Sequence, residues 1–506
     1  MDFTPTDEQA AIVQAALTTT DSLMVVSYAG CTKTTALKLV ANALPPGPAL
    51  ALAFSVPTKK ELERHFPAHI TIMTLNGLGH RAWAKAVNKP LVVDDRKVGR
   101  LITRVAREES FDLSSEQWTA VRALVNSAQV NGLVPSSYPH KGLVADRPEI
   151  WMDMADMLML PDAEPLLPLA RATLVAAIQE AFQGTISYAD QIYMSALFNG
   201  AFPRYPLVMV DEAQDLSPLN HVQIKRAALG RLIVVGDPKQ AIYGWRGADH
   251  TSMDTLRTLR KDWTDLALTQ TFRCPSEVVA RQQVHAPGFT AAPKNPAGLV
   301  LEWHHQHTPW TWALVDQPRK TIGVLCRNNA PLLGLAMKLI RQGVGCVMAG
   351  RDIGKGLVAL ARKIVPVDSI PAEECKALIN QWADDEIILA KANDKLEKVA
   401  GIEDRRDCLL VVLETGVADA GTLRNILTDL FSREAGRVTL SSIHRAKGLE
   451  WDIVVHLDPW RIPSKQARKA AQLGDQRPLQ QELNLRYVCE TRTKHTLILA
   501  NLEDFT

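Results

Sequence analysis

Short apolar segments alternate with stretches of helical character through residue 88 of the chain. The apolar segments have the length and composition of buried strands, and they are residues 23–27, 49–54 and 69–73. The intervening stretches have helical spacing or a polar helical composition, and they are residues 7–17, 35–43 and 59–66. Strands that alternate with helices form parallel sheets covered by helices, so this part of the chain predicts an α/β fold.

The α/β pattern lapses and returns along the rest of the chain. Residues 89–185 and 355–435 have mainly helical patterns, whereas apolar strands recur at residues 207–210, 232–235, 321–326, 453–456 and 496–499. We therefore predict two parallel-sheet lobes, each interrupted by a mainly helical insertion. The predicted domains are a first lobe of residues 1–88 and 186–275 with insertion 89–185, and a second lobe of residues 276–354 and 436–506 with the smaller insertion 355–435.

Composition excludes several classes of protein. The 506 residues carry 57 Lys and Arg against 55 Asp and Glu, and 46% are hydrophobic, as in ordinary globular proteins. No apolar run is long enough to span a membrane, and the first residues do not resemble a secretory signal. The seven cysteines lack CxxC spacing, which predicts neither a zinc site nor a disulfide framework and favours a reducing, cytosol-like compartment. The net charge of +2 leaves room for a local basic groove that binds nucleic acid.

A turn of small residues joins the first strand to the next helix. Residues 27–34, SYAGCTKT, place a lysine and a threonine where phosphate-binding loops use them to contact phosphates and Mg²⁺. The regular pattern G-x-x-x-x-G-K-[ST] is not met, because Ser27 and Thr32 stand at the two glycine positions. By itself this segment is equally compatible with a phosphate-binding loop and with an ordinary strand-to-helix turn.

Two polar segments follow later strands of the first lobe. DEAQD occupies residues 211–215 directly after an apolar strand, and GDPKQAIYGWRGA occupies residues 236–248 after another. In NTPases the first carboxylate after such a strand holds Mg²⁺, and the second orients or deprotonates the attacking water. Asp211 and Glu212 are the candidates for these two roles.

These two segments resemble motifs II and III of superfamily 1 helicases of the UvrD/Rep class. Further family motifs are recognisable in the family's order at residues 6–9 (Q motif), 53–63 (Ia), 74–80 (Ib), 268–274 (IV), 442–451 (V) and 485–494 (VI). The chain has the character of compact phage and bacterial members, which are similar to the F-box DNA helicase group, although no F-box is visible. The resemblance implies RecA-like lobes, ATP and Mg²⁺ as cofactors, DNA as partner, and the cytoplasm of a bacterial or phage-infected cell.

The resemblance also assigns nucleotide roles. The residues expected to contact ATP are Gln9 at the adenine edge, Phe272 stacked on adenine, Glu450 at the ribose, and Ala29, Gly30, Cys31, Thr32, Lys33, Thr34 and Thr35 at the phosphates. Thr34 and Asp211 would bind Mg²⁺. The catalytic set would be Lys33, Asp211, Glu212, Gln240 as γ-phosphate sensor, and the arginine fingers Arg273 and Arg492. A helix-surface glutamine, a core phenylalanine and surface ion pairs are the alternative interpretations of Gln9, Phe272 and the arginines.

A third group of residues matches positions where the family contacts DNA. Its members are Phe54, Thr74, Asn76, Tyr243, Trp245, Arg327, His444 and Lys447. Single strands are held by aromatic stacking and phosphate contacts, which suits Phe54, Tyr243 and Trp245 together with the cations. Asn76 stands where the family usually has histidine, and His444 is equally compatible with a buried structural role.

The resemblance implies a motor in which ATP closes a cleft between the lobes and drives 3′-to-5′ movement on single-stranded DNA or at a single-strand/duplex junction. Two other interpretations stay open. In the first, the chain is a DNA-stimulated ATPase or translocase that does not unwind duplexes, which a short second insertion favours. The same short insertion leaves room for a protein partner that activates unwinding. Alternatively, Thr32 and Ser27 have silenced hydrolysis and the chain is a DNA-binding module.

Overall fold

The structure is a computed structural model that describes residues 4–158, 160, 163–242, 251–303, 320–392, 396–432 and 436–505. It divides into two compact units, one of residues 1–27 and 32–268 and the other of residues 28–31 and 269–506. Each unit contains a wholly parallel sheet covered by helices, so the predicted α/β class is confirmed. Among the described residues, no helix has the length and hydropathy that crossing a membrane requires.

The sheet of the first unit has the strand order β3-β2-β6-β7-β1-β8, and every neighbouring pair is parallel. Its strands are β1 (Ser22–Ser27), β2 (Ala49–Ala53), β3 (Ile70–Thr74), β6 (Tyr205–Val210), β7 (Ala228–Gly236) and β8 (Trp263–Leu268). The central strands are buried on both faces, which explains their continuous apolar runs. Strand β8 lies at an edge and is only partly buried, so its sequence carries no such run.

Helices of the first unit pack around this sheet or lead into the insertion. They are α1 (Asp7–Thr18), α2 (Lys33–Ala43), α3 (Val56–His65), α4 (Leu75–Val87), α9 (Tyr188–Leu197), α10 (Pro218–Ala227) and α11 (Ser252–Arg257). Strand β1 is followed by α2, and β2 by α3, as the alternating sequence pattern predicts. Helices α4 and α9 pack closely, because Gly79 lets the backbone of Gln191 approach: a Cβ at position 79 would overlap the carbonyl oxygen of Gln191.

The first insertion is helical, as predicted. It contains α5 (Lys97–Glu108), α6 (Ser115–Val130), α7 (Pro148–Met157) and α8 (Leu167–Gln183), with a short parallel pair β4 (Val92–Val93) and β5 (Thr185–Ile186) at its base. Its apolar core is continuous with α4 and α9 and includes Trp83, Leu124 and Tyr193. The insertion is therefore packed onto its lobe by a shared core.

The sheet of the second unit has the order β11-β16-β15-β12-β14-β13, again with parallel neighbours. Its strands are β11 (Leu299–Glu302), β12 (Ile322–Cys326), β13 (Cys346–Met348), β14 (Val438–Ser442), β15 (Trp451–Leu457) and β16 (Thr493–Ala500). A separate parallel pair is formed by β9 (Gln270–Thr271) and β10 (Thr290–Ala291). Strands β12, β15 and β16 match the apolar runs of the sequence. Strands β13 and β14 were not predicted, because β13 is short and β14 ends in Ser441 and Ser442.

The second unit also carries the predicted helical insertion. The helices at its sheet are α12 (Ser276–Gln282), α13 (Ala330–Arg341), α18 (Ile443–Ala446), α19 (Lys465–Gln472) and α20 (Arg477–Glu490). Between β13 and β14 lie α14 (Arg351–Ile364), α15 (Ala372–Ala392), α16 (Leu396–Leu413) and α17 (Ala420–Ser432). The buried side chains of these helices form one core with the sheet, including Leu357, Leu409 and Leu427.

Candidate functional site

Sheet topology gathers the candidate residues of the first unit at one edge. Strands β6, β7 and β1 are adjacent and parallel, so their carboxyl ends lie side by side. Asp211 follows β6, Asp237 follows β7, and the turn before Lys33 follows β1. The carboxyl edge of a parallel sheet, next to a helix N-terminus, is where α/β proteins bind phosphate-containing ligands.

Hydrogen bonds and an ion pair link these side chains. The Lys33 ammonium lies 3.1 Å from a carboxylate oxygen of Glu212, and the Thr34 hydroxyl donates to Asp211 across 2.9 Å. The Gln240 amide donates to Asp237 across 2.6 Å. The structure therefore brings together six groups that follow three different strands and span more than two hundred positions of the sequence.

Burial and charge set the protonation of this cluster. Burial alone would lower the pKa of Lys33, but the charges of Glu212 and Asp237, with that of Asp211, outweigh it and raise the pKa. Loss of hydration, together with the charge of Glu212, raises the pKa of Asp211 to about 6. Burial likewise raises the pKa of Asp237 to about 6. Three carboxylates facing one ammonium leave an excess of negative charge that a divalent cation would neutralise.

The donor set fits Mg²⁺ bound together with a nucleotide. The Thr34 hydroxyl and the Asp211 carboxylate are hard oxygen ligands, and Mg²⁺ typically uses one or two such protein ligands plus phosphate oxygens and water. Among the described residues, no group of three or more His, Cys, Asp and Glu side chains is arranged to hold a metal by itself. Two protein oxygen ligands, Thr34 and Asp211, suit a Mg²⁺ ion whose other ligands are phosphate oxygens and water.

Two residues of the cluster were not singled out from sequence. Asp237 is fully buried at the end of β7 and bonds Gln240, and Gln214 donates to Glu212 across 2.6 Å while accepting from the Asp237 backbone. Both lie inside the segments quoted above, so the available signal was their position directly after a buried strand. Gln214 connects the ends of β6 and β7 and holds the Glu212 side chain.

Gln9 and Thr32 contact each other. The Gln9 amide nitrogen donates to the Thr32 hydroxyl across 2.8 Å, and Gln9 is 1% exposed. Thr32 has φ 58° and ψ 41°, in the left-handed region, directly before α2. Thr35 lies in the first turn of α2. Gln9 is therefore a buried residue adjoining the loop, which excludes the helix-surface interpretation.

Residues 28–31 group with the second unit. The backbone N–H of Ala29 donates to the Tyr487 hydroxyl across 2.8 Å, and the Gly30 carbonyl accepts from the N–H of Phe272 across 3.0 Å. The Cys31 N–H donates to the Tyr28 carbonyl across 3.2 Å, closing a tight turn. Gly30 has φ 73°, and a Cβ there would lie 2.7 Å from the Cβ of Arg273, so only glycine fits. Tyr487 was not singled out from sequence.

The nucleotide candidates of the second unit lie around Glu450. One carboxylate oxygen accepts from Arg273 across 2.7 Å, and the other lies 2.6 Å from the Lys494 ammonium. Arg492 is 2% exposed, and its Nε donates to the Val488 carbonyl across 3.0 Å. Burial raises the pKa of the Cys274 thiol, and the charges of Arg273 and Arg492 both oppose that rise.

The DNA candidates have mixed surroundings. Phe54 is 47% exposed and is therefore not a core residue; the same holds for Phe272, the nucleotide candidate, which is 50% exposed. Thr74 caps α4 by accepting from the Gly77 N–H across 3.0 Å, while Asn76 donates to the Tyr188 carbonyl across 2.9 Å.

Three more of these candidates are placed as follows. Arg327 is paired with Glu482 at 2.9 Å, His444 lies in α18, and Lys447 follows that helix. Tyr243 and Trp245 lie outside the described residues.

Comparison with known families identifies the class of the chain. Residues 88–260 match the UvrD/REP helicase N-terminal domain, and residues 387–504 match the UvrD-like helicase C-terminal domain. Together the two matches cover more than half of the chain. The chain belongs to the UvrD/REP helicase family.

Individual relatives agree with this assignment. The chain is 24% identical to F-box DNA helicase protein 1 of Schizosaccharomyces pombe, over 98% of this chain and 57% of the relative. It is 26% identical to the ATP-dependent DNA helicase UvrD2 of Mycobacterium tuberculosis, over 59% of this chain and 47% of the relative. A segment of 80 residues is 35% identical to the Gabija protein GajB of Bacillus cereus, over 15% of this chain and 16% of the relative. The chain spans about half of the length of the first two relatives.

Proposed function

We propose that the chain hydrolyses ATP with Mg²⁺ and uses the energy to move along single-stranded DNA from 3′ to 5′. The observation that carries the proposal is the cluster of Lys33, Thr34, Asp211, Glu212 and Gln240 at the carboxyl edge of three parallel strands. A lysine, a hydroxyl and two successive carboxylates are the groups that phosphoryl transfer to water requires. Membership of a helicase family supports DNA as the polymer on which the motor acts.

Each group has a separate task in the proposed reaction. Lys33 binds β- and γ-phosphate oxygens. Thr34 with Asp211 would hold Mg²⁺, which would supply positive charge at the transferred phosphoryl group. Glu212, held by Gln214, accepts a proton from the water that attacks the γ-phosphorus. Gln240 contacts the γ-phosphate, and its hydrogen bond to Asp237 connects that contact to the end of β7. Arg273 and Arg492 supply positive charge to the transition state.

Arg273 must exchange partners to act in this way. Its guanidinium is bound to Glu450 at 2.7 Å, and Glu450 is also held by Lys494. This ion pair positions the Arg273 head group before a nucleotide is present. Phe272, half exposed beside it, supplies an aromatic face for the base.

The first test is ATP hydrolysis by the full chain with and without single-stranded DNA, beside Lys33→Ala. We expect DNA to stimulate hydrolysis, and we expect Lys33→Ala to abolish it, because the variant loses the cation that binds the β- and γ-phosphates. Lys38→Ala is the matched control, because Lys38 also pairs with a glutamate, Glu61, but on the exposed side of the same helix. DNA binding without hydrolysis by the unaltered chain would contradict the proposal and favour the DNA-binding module. Strand displacement from 3′- and 5′-tailed duplexes then separates unwinding from translocation and tests polarity.

A basic helix with an exposed aromatic residue supports a DNA contact on the second unit. Helix α19 carries Lys465, Arg468 and Lys469 at helical neighbour positions, all exposed, and its segment has no acidic residue. Trp460, just before it, is 59% exposed, and the Arg461 guanidinium lies 4.5 Å from its ring centroid. Cations beside an exposed aromatic ring match the phosphates and bases of a single strand.

Replacing Lys465, Arg468 and Lys469 together by alanine should weaken single-strand binding and flatten its salt dependence. Three lost phosphate contacts correspond to a change of about 2 in the slope of log K against log salt. ATP hydrolysis without DNA should be unchanged. The control replaces Lys355, Arg362 and Lys363 of α14 by alanine, which removes the same amount of charge elsewhere in the unit. An equal effect of both triple variants on DNA binding would show that only net charge matters and would remove α19 from the DNA contact.

A further inference from the structure

Thr32 has a backbone conformation that threonine rarely adopts. Its φ of 58° and ψ of 41° lie in the left-handed region, which a β-branched side chain disfavours and glycine tolerates. In the regular phosphate-binding loop this position is glycine. A contact from elsewhere in the fold must therefore stabilise the left-handed conformation of Thr32, which glycine would adopt without such a contact.

Gln9 makes the contact that can do so. Its amide nitrogen donates to the Thr32 hydroxyl across 2.8 Å, and its amide oxygen accepts from the Thr6 N–H across 3.0 Å. The Thr6 hydroxyl in turn accepts from the Gln9 N–H, which completes a capping box at the start of α1. The Gln9 side chain is buried and anchored at both of its polar atoms, so it presents a fixed donor to Thr32.

The competing conformation of Thr32 would block the loop. A threonine before a helix normally has extended backbone, and its hydroxyl accepts from an N–H in the first helical turn. Ser55, Thr74 and Ser114 cap their helices in this way, with ψ near 160° in each case. Thr32 precedes α2 in the same position, but its hydroxyl makes no such bond. If the Thr32 hydroxyl made a capping bond, it would occupy an N–H group that the N-terminus of α2 otherwise offers to phosphate.

We propose that Gln9 is a positioning residue for the phosphate-binding loop. By bonding the Thr32 hydroxyl, it holds Thr32 in the left-handed conformation and keeps that hydroxyl away from the N–H groups of α2. This inference rests on the proposed nucleotide site and gives Gln9 a task within it that does not depend on the base: Gln9 supports phosphate binding through Thr32. Gln9 and Thr32 then compensate as a pair for the missing glycine.

A double-mutant cycle tests the pair with two ligands, MgATP and inorganic tripolyphosphate, whose binding is measured by calorimetry. Gln9→Ala should lower the affinity for both ligands by a similar factor of about ten, the size expected for the loss of one hydrogen bond. Thr32→Gly should bind both at least as well as the unaltered chain, because glycine adopts the left-handed conformation without support. In the Thr32→Gly background, Gln9→Ala should change either affinity by less than about twofold.

Two controls separate positioning from helix stability. Thr6→Ala removes the capping hydroxyl of α1 but leaves the Gln9 amide and Thr32 in place, and Gln14→Ala alters an exposed glutamine of the same helix. Both should bind tripolyphosphate normally.

Three outcomes would count against the inference. A loss of ATP affinity with unchanged tripolyphosphate affinity in Gln9→Ala would assign Gln9 to the base and overturn it. An undiminished effect of Gln9→Ala in the Thr32→Gly background would also overturn it. If the unaltered chain bound neither ligand, the proposed nucleotide site itself would fail.

Discussion

Glu212→Gln should reduce DNA-stimulated ATP hydrolysis by about 10² to 10⁴-fold, the usual contribution of a general base. Glutamine has nearly the same shape as glutamate but cannot accept the proton of the attacking water. Glu212 is well placed for this role because Gln214 and Lys33 both hold its carboxylate, at 2.6 Å and 3.1 Å. Single-turnover hydrolysis with saturating single-stranded DNA measures the chemical step directly.

The same variant should retain its ligands. Thr34 and Asp211, the candidate Mg²⁺ ligands, are untouched, and removing the charge of one of the three carboxylates in the cluster lowers the repulsion of a triphosphate. ATP affinity should therefore be equal or higher, as measured by calorimetry. Glu61→Gln is the control, because Glu61 forms an exposed ion pair with Lys38 in the same unit. Hydrolysis by Glu212→Gln at the rate of this control would show that Glu212 is not the base.

Lys97→Met should lower the free energy of unfolding of the first unit by about 3–5 kcal/mol, the cost of leaving the other member of a buried ion pair without its counter-charge. Lys97 and Asp190 are both fully buried and lie 2.7 Å apart. The ammonium also donates to the Ala177 carbonyl across 2.7 Å, so the substitution leaves a carboxylate and a carbonyl without their donor. Because Lys97 is on α5 and Asp190 on α9, the loss should loosen the insertion where it meets the lobe.

A second substitution should recover part of this loss. Asp190 also accepts from the Gln129 amide and from the Ser187 N–H, and the Gln129 oxygen is buried without a partner among the described residues. In Lys97→Met/Asp190→Asn the buried charge is gone, and a rotated Gln129 amide can accept from the new asparagine. Hydrogen exchange of α6 and α9 amides in the full chain measures both variants.

Arg100→Met provides the matched control for Lys97→Met. Arg100 lies on the same helix and also forms ion pairs, with Asp94 and Glu180, but its side chain is 49% exposed. We expect a cost below about 1 kcal/mol there, because exposed ion pairs contribute little. Equal costs for Lys97→Met and Arg100→Met would contradict the importance of the buried pair.

The sequence predicted the α/β class and the two helical insertions because both rest on local periodicity. Buried parallel strands such as β1 and β7 are continuous apolar runs, and they are recognisable without any partner. Strands whose burial depends on their place in the sheet were missed. Edge strand β8 is only partly buried, and β14 ends in Ser441 and Ser442, which are buried where they pair with β12.

Candidate site residues were found by motif, but their partners were not. Lys33, Asp211 and Glu212 carry their chemistry in their residue types, so the sequence alone identifies them as candidates. Asp237 and Gln214 join the site only because β6 and β7 are neighbours in the sheet, which brings the ends of the two strands together. The same is true of Glu450, whose partners Arg273 and Lys494 are remote in sequence.

The amino-acid sequence by itself determined which continuous apolar segments become buried strands, which turn resembles a phosphate-binding loop, and which family the motifs resemble, because each depends on residues close together in the chain. Only the tertiary structure decided how the irregular loop is held. Thr32 looks like a defect in the motif, and the Gln9 amide that stabilises it comes from a helix 23 positions earlier. Long-range hydrogen bonds leave no periodic trace in a sequence, so such compensation becomes visible only when the chain is folded.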